Sequence, residues 1–367
     1  MRIHLLFLLI SLPSTLCIFM NISTSSNYKT IFSFGDSLAD TGNYLTYGRE
    51  AILAIDKSPY GITYFHRPTG RCSDGRLVVD FIGFGVPELP PYLATVEGQN
   101  LRHGVNFAVA GATALDTSFF SERGLDAFLW TNSSLSIQLG WFKKLKPSIC
   151  KQATDCTKFL RKSLFLVGEI GGNDYNFAFL MGQTIEDVKK IVHRVVRAIV
   201  EATKTLIKEG AVNLVIPGNF PVGCLTVYQS LFQSRNKGDY DSHNKCLVAY
   251  NHFSQYHNRR LKAALIKLQR QLTHANIIYV DYYNIAMPFF NSPEKFGELS
   301  INGGFIKDHV LSACCGGGEA YNLNLSAMCG KPGSKACDDP STYVNWDGVH
   351  LTEAAYTFIA KKVILDL

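Results

Sequence analysis

A serine hydroxyl stands where an apolar run stops. The stretch "FSFGDSLADTGN", residues 32–43, carries Ser37 directly after Gly35 and Asp36. A serine is a weak nucleophile and needs a base within hydrogen-bond reach, itself oriented by a third group. That pair is available near the other end of the chain, in "VNWDGVHLTEAAY", where Asp347 and His350 are three residues apart with Gly348 between them. A tight turn there lets the carboxylate take the proton on His Nδ1 and leaves Nε2 outward as base. Attack on a carbonyl also needs donors for the developing oxyanion. Asn173 in "GEIGGNDYN" can present its side-chain amide, with Gly171 and Gly172 allowing the turn, and Gly111 in "AVAGATA" can offer its N–H at close approach.

Each residue also has a plainer reading. Ser37 with Asp40 matches the Ser-x-x-Asp signature of a helix start, under which a helix N-terminus would lie beneath the serine. Asp40-Thr41-Gly42 is half of an aspartic-protease site, which needs a second copy that the chain lacks. The Gly-x-Ser-x-Gly elbow fails because Ala39 occupies its last position. Asp347-Gly348 can be a mere turn before a surface histidine, Asn173 part of an Asn–Asp turn, and Gly111 a packing glycine. Singly, these readings compete well. Together, the four signals supply a nucleophile, a base with its orienter, and two oxyanion donors.

Their positions depend on the elements around them. "TIFSF" (30–34), "GVNFAVA" (104–110), "SLFLVG" (163–168), "VNLVIP" (212–217) and "NIIYVD" (276–281) read as buried strands. The spacing predicts one helix over residues 185–210, a second over about 245–272 and a third over 352–365. Strands separated by crossover helices predict a five-stranded parallel sheet covered on both faces, a three-layer α/β/α arrangement. Ligands in such sheets bind beyond the carboxyl ends of the strands. Ser37, Gly111 and Asn173 all follow predicted strands. No linker or internal repeat divides the chain, so residues 26–367 are expected to form one domain.

The chain has 367 residues, 47% of them hydrophobic, and a mild net charge of +6 with no basic block that would suit a nucleic acid. Arg2 followed by "LLFLLISL" and "PSTLC" reads as a cleaved secretory signal over residues 1–25. Sequons at Asn21, Asn132 and Asn324 agree with passage through the secretory pathway, ending outside the cell or in a vacuole. Ten cysteines become nine when Cys17 leaves with the signal. Cys150/Cys156, Cys224/Cys246 and the cluster Cys314, Cys315, Cys329, Cys337 could form up to four bridges, leaving Cys72 free. No Cys-x-x-Cys or His-Glu-x-x-His suggests a metal site, and no later run is long enough to span a membrane.

The combination resembles the plant GDSL-type esterase/lipase family of the SGNH hydrolase superfamily. The likeness covers nearly the whole mature chain, through "FSFGDSLADTGN", "GVNFAVAGATA", "GGND" and "DGVH". It implies Ser37 as nucleophile, Asp347 and His350 completing the triad, and an oxyanion hole of the Ser37 N–H, Gly111 and Asn173. It further implies a flavodoxin-like fold, no metal or organic cofactor, and a small-molecule ester as substrate. "PTGRCSDGRLVVDFI" and "RHGVNFAVAGATALD" most resemble a family member that removes an acetyl group from an indole alkaloid. Where many relatives have Ser-Gly-Gly-Ala, this chain has Val109-Ala110-Gly111-Ala112. The expectation is therefore a secreted, monomeric serine esterase with no stable membrane association. The alternatives are an acyltransferase using the same acyl-enzyme, a lipase on longer acyl chains, and an idle ligand-binding protein.

Overall fold

A computed structural model of the protein describes residues 28–47, 53–83, 88–150, 153–299 and 304–367. The expected signal over residues 1–25, with Cys17 and the sequon at Asn21, lies outside the described residues.

Five strands form one parallel sheet: β1 (Ile31–Phe34), β2 (Gly104–Asn106), β3 (Leu164–Val167), β4 (Asn213–Pro217) and β5 (Asn276–Val280). Their order is β2-β1-β3-β4-β5, the doubly wound order of flavodoxin-like folds. The sheet is built from side-chain alternation. Phe32 and Phe34 of β1, Phe165 and Val167 of β3, and Leu214 and Ile216 of β4 pack into one core. Ile31, Leu164, Leu166 and Val215 face the other way into a second core.

Seven helices matter for the two covering layers: α1 (Val78–Ile82), α2 (Leu135–Ile149), α3 (Gly172–Leu180), α4 (Val192–Lys208), α5 (Val248–Gln271), α6 (Tyr282–Asn291) and α7 (Glu353–Leu365). Helix α4 touches both α2 and α5 over the first core, and α7 touches both α1 and α6 over the second. The three-layer α/β/α expectation therefore holds.

Two expected elements differ. The run 185–210 is two helices, Ile185–Lys189 and α4, because the first closes on itself with short bonds from Lys190 N to Asp187 O and Ile191 N to Val188 O. The strand expected over 104–110 is regular only to Asn106; beyond it Phe107 N and Val109 N still donate to Ser33 O and Gly35 O, and side chains take the alternate, outward N–H groups. Asn106 Oδ1 accepts from Ala108 N and Asp40 Oδ2 from Ala110 N, both at 2.8 Å.

Chain reversal at β1 leaves β2 on one side and β3 on the other. The carboxyl ends of these three strands therefore meet at the switch point where such sheets hold ligands. The last helix must then bring its preceding loop to that edge. It is held there by residues 60–82. Arg76 pairs with Glu353 at 2.7 Å, Asp74 Oδ1 accepts from Glu353 N at 2.7 Å, and Ser73 Oγ donates to Leu351 O. Within this segment Arg71 forms a two-pronged pair with Asp80, Nε to Oδ2 at 2.9 Å and a terminal nitrogen to Oδ1 at 2.7 Å. Both side chains are only 4% exposed.

Among the described residues, bridges join Cys150–Cys156, Cys224–Cys246, Cys314–Cys337 and Cys315–Cys329, and Cys72 is free and buried. The sequon Asn132 is exposed, whereas Asn324 is half-buried with its amide nitrogen on Glu319.

Removing one partner of a buried ion pair leaves the other charge uncompensated. Asp80→Ala should therefore lower unfolding stability by about 3–5 kcal/mol. A denaturant titration of both proteins checks this; an unchanged midpoint would mean that the 60–82 segment does not depend on the pair.

Candidate active site

Ser37 lies three residues beyond β1. No regular helix starts at it. Asp36 organises the turn instead: its carbonyl accepts from Ala39 N and Asp40 N, and its carboxylate accepts from Leu38 N at 3.0 Å. The expected helix N-terminus beneath Ser37 is therefore absent, because Asp36 takes the capping bond and leaves the serine hydroxyl to other use. Asp40, fully buried, accepts from the N–H groups of Gly42, Asn43, Tyr44 and Ala110. It ties the loop after β1 to the loop after β2.

From the other end of the chain comes His350. Its Nε2 is 2.8 Å from Ser37 Oγ, and its Nδ1 is 2.8 Å and 3.0 Å from the two oxygens of Asp347. With the proton on Nδ1 facing the carboxylate, Nε2 is an acceptor and the serine hydroxyl donates to it. Gly348 makes the turn possible. Its φ is +97°, and a Cβ there would lie 2.8 Å from Leu323. Asp347 Oδ1 also accepts from the N–H groups of Val349 and His350, at 3.0 and 2.9 Å.

The charges follow from this packing. Burial alone would raise Asp347, but the His350 ring and the two backbone donors outweigh it, and its carboxyl is held below the usual range. Burial opposes charge on His350, yet the adjoining Asp347 carboxylate prevails and holds the ring well above the ordinary imidazole value.

Asn173 stands in the first turn of α3, just beyond β3. Its Nδ2 donates to Ala112 O at 3.0 Å and to Asp36 Oδ2 at 3.3 Å. Next to Ala112 is Gly111, with φ +80° and no room for a Cβ, which would lie 2.6 Å from Trp130. Among the described residues neither the Ser37 N–H nor the Gly111 N–H has a hydrogen-bond partner. Buried backbone donors are rarely left so. The structure thus brings Ser37, His350 and Asp347 together, and links Asn173 to the Gly111 loop and to the residue before Ser37.

Four neighbours escaped the sequence reading. Tyr60 donates its hydroxyl to Asp347 Oδ2 at 2.8 Å, and Cys72 touches the His350 ring. Nothing local in the sequence marks either. Glu169 is hydrogen-bonded to Asp36, and Asn176 reaches Asn173 Oδ1 at 3.4 Å. Both lie close to Asn173 in sequence, and that proximity was the available signal.

A narrow pocket opens on Ser37, His350, Asn173 and Glu169, with Phe220 and Leu225 in its wall. It shares Asn173, Asn176 and Val349 with a second pocket beside it. That second space is lined by Trp130, Phe177, Leu180, Tyr228, Leu231 and Phe232. Among the described residues no cluster of three His, Cys, Asp or Glu side chains could hold a metal ion, and no helix is long and apolar enough to cross a membrane.

The chain's likeness to known proteins is extensive. The profile of the GDSL-like Lipase/Acylhydrolase family matches residues 31–363. A GDSL esterase/lipase of Arabidopsis thaliana is 47% identical over 99% of this chain and 97% of its own length. Two more from the same plant are 46% identical over 92% of this chain and 85% of their own, and 44% over 97% and 89%. Their names give ester hydrolysis and no particular ester. With the profile spanning the sheet from β1 to the last helix, the chain belongs to the GDSL esterase/lipase family of ester hydrolases.

Proposed function

We propose that this esterase works through Ser37 as nucleophile, His350 as general base and acid, and Asp347 as the group that orients and charges-balances the imidazole. The observation that carries the reading is the unbroken line from Ser37 Oγ to His350 Nε2 and from Nδ1 to Asp347, each step 2.8 Å. Ser37 Oγ attacks the ester carbonyl carbon while its proton passes to Nε2. The oxyanion takes hydrogen bonds from the Ser37 and Gly111 N–H groups and the Asn173 amide. Collapse expels the alcohol, which leaves with the proton from Nε2. Water then repeats the sequence on the acyl-enzyme, with His350 again as base, and frees the acid.

We further read the substrate as a short acyl group, acetyl above all, on a bulky plant-metabolite alcohol. Residues 68–82 and 102–116 resemble acetylajmalan esterase. These stretches border Asp347, His350 and the Gly111 loop, so their likeness speaks for the chemistry more than for the alcohol. The aromatic space beside Asn173 is what favours a bulky apolar alcohol. Secretion is part of the same reading, supported by the N-terminal apolar run, the exposed sequon at Asn132 and four disulfides in one chain.

Ser37→Ala should lower ester hydrolysis by roughly 10³–10⁶ in rate while the fold survives. Turnover of p-nitrophenyl acetate, fluorophosphonate labelling and circular dichroism check this together. Near-normal turnover in a folded mutant removes the nucleophile assignment.

Catalysis needs neutral His350, and its pKa lies above the ordinary value. Activity should therefore fall as pH drops through a midpoint above about 6.5. Asp347→Asn removes the anion that raises it, so the midpoint should move down as kcat falls by about 10⁴. An acid limb unmoved by Asp347→Asn would detach the limb from this pair.

Across p-nitrophenyl esters, kcat/KM should peak at about two to four carbons. A long acyl pocket would instead gain about 0.8 kcal/mol per methylene. A maximum at about eight carbons or beyond would overturn the short-acyl reading and leave the esterase reading intact.

A further inference from the structure

Two buried carboxyl groups adjoin the site and take no part in the triad. Asp36, 2% exposed, precedes the nucleophile, and Glu169, 5% exposed, follows β3 four residues before Asn173. Both line the pocket beside Ser37, and there each carboxyl is the side-chain hydrogen-bond partner of the other. Two carboxylates cannot share a hydrogen bond without a proton between them, so the contact itself requires at least one proton on the pair. Asp36 already accepts from Leu38 N and from Asn173 Nδ2. Glu169 turns both oxygens toward the start of α3, where a Cβ on Gly172 would stand 3.1 and 3.3 Å from them.

We propose that Glu169 is a positioning residue that stays protonated, donates to Asp36, and through Asp36 aims the Asn173 amide at the oxyanion. The inference rests on the Ser37 mechanism above and adds a residue to it. Asn173 Nδ2 has two hydrogens, and both are engaged at rest, on Ala112 O at 3.0 Å and on Asp36 Oδ2 at 3.3 Å. An oxyanion must draw one of them, and the longer bond to Asp36 is the one to yield. A proton from Glu169 occupies Asp36 and weakens its hold on that hydrogen. Loss of the proton does the reverse: it places a second charge beside the developing oxyanion and tightens Asp36 on Asn173.

The surroundings keep the proton in place. Burial dominates at both acids, lifting Asp36 to about 7 and Glu169 well above its usual range. The charged and titratable groups that face the pair are few. Asp40, in the loop after Ser37, and Asp174 on α3 are acids and add to the lift. His350, from the loop before α7, favours the anion on Asp36. The phenols of Tyr175, Tyr228 and Tyr282 face Glu169 and that of Tyr356 faces Asp36, each held above its ordinary range by burial first. Among the described residues, no lysine or arginine stands among the strongest influences on either acid.

The test compares Glu169→Gln and Glu169→Ala with the parent on p-nitrophenyl acetate from pH 5 to 10. Glutamine keeps a donor to Asp36 and an acceptor toward the start of α3 but cannot ionise. Parent activity should fall on the alkaline side, and Glu169→Gln should keep kcat near pH 7 while losing that fall. Glu169→Ala should lose about 10- to 100-fold in kcat with KM unchanged, and no further loss should follow when it is added to Asn173→Ala. An alkaline limb that persists in Glu169→Gln overturns the proposal, and so does additivity of Glu169→Ala with Asn173→Ala. If Glu169→Ala fails to fold, the glutamine profile decides alone. Should the parent itself be inert and unlabelled by fluorophosphonate, the Ser37 reading has failed; an active parent with indifferent Glu169 variants sinks only this inference.

Discussion

One hydrogen bond governs the architecture: Ser37 Oγ to His350 Nε2, joining residues 313 positions apart. The serine is fixed early, by the end of a central strand. The histidine belongs to a loop that has no strand of its own in the sheet. Closing so long a stretch costs chain entropy that the bond alone cannot offset. The remaining structure supplies the difference. Segment 60–82 grips the loop through Tyr60, Ser73, Asp74 and Arg76, and α7 is packed against α1 beneath it. On the serine side, Gln138 of α2 pairs with both backbone groups of Gly35, its Oε1 accepting at 2.9 Å and its Nε2 donating at 2.8 Å. With Val109 N also donating to Gly35 O, the side chain and the neighbouring segment together fix the exit of β1.

The acids around the site sort by what satisfies them. Asp40 takes four backbone N–H groups and Asp174 takes those of Ala114 and Leu115, so both act as staples between loops. Asp347 has an imidazole, a phenol and two amides, enough to remain an anion in a buried place. Asp36 has Leu38 N, Asn173 Nδ2 and Glu169 around it, and Glu169 has chiefly Asp36. Burial lifts four of the five acids, Asp36 and Asp174 to about 7, Asp40 to about 6 and Glu169 well above its usual range, and only Asp347, beside the imidazole, is held below.

Much of this was legible in the chain. Five short apolar runs gave the sheet, and Asp347-Gly348-x-His350 encodes its own contact because three residues around a positive-φ glycine close locally. The two-part helix over 185–208 was not readable, since its apolar spacing continues unbroken through the bend at Lys190 and Ile191. Ser37 and Asp40 suggested a helix start, whereas Asp36 takes the capping bond and Asp40 reaches Ala110; adjacent polar residues compete for the same amides, and tertiary contacts choose among them. Tyr60 and Cys72 meet Asp347 and His350 only through the folded chain, Tyr60 across 287 residues. Ser37 and His350 lie farther apart still but each stands in a motif, and Tyr60 and Cys72 do not.

The loop that carries Asp347 and His350 is hung on two half-cystines. Cys314 N donates to Asn345 O and Cys315 N to Trp346 O, the two residues just before Asp347, and each cysteine is bridged, to Cys337 and to Cys329. Covalent bonds between sulfur atoms thereby fix, at one remove, where an imidazole stands: reducing Cys314–Cys337 and Cys315–Cys329 would free the very backbone on which the Asp347–His350 loop hangs.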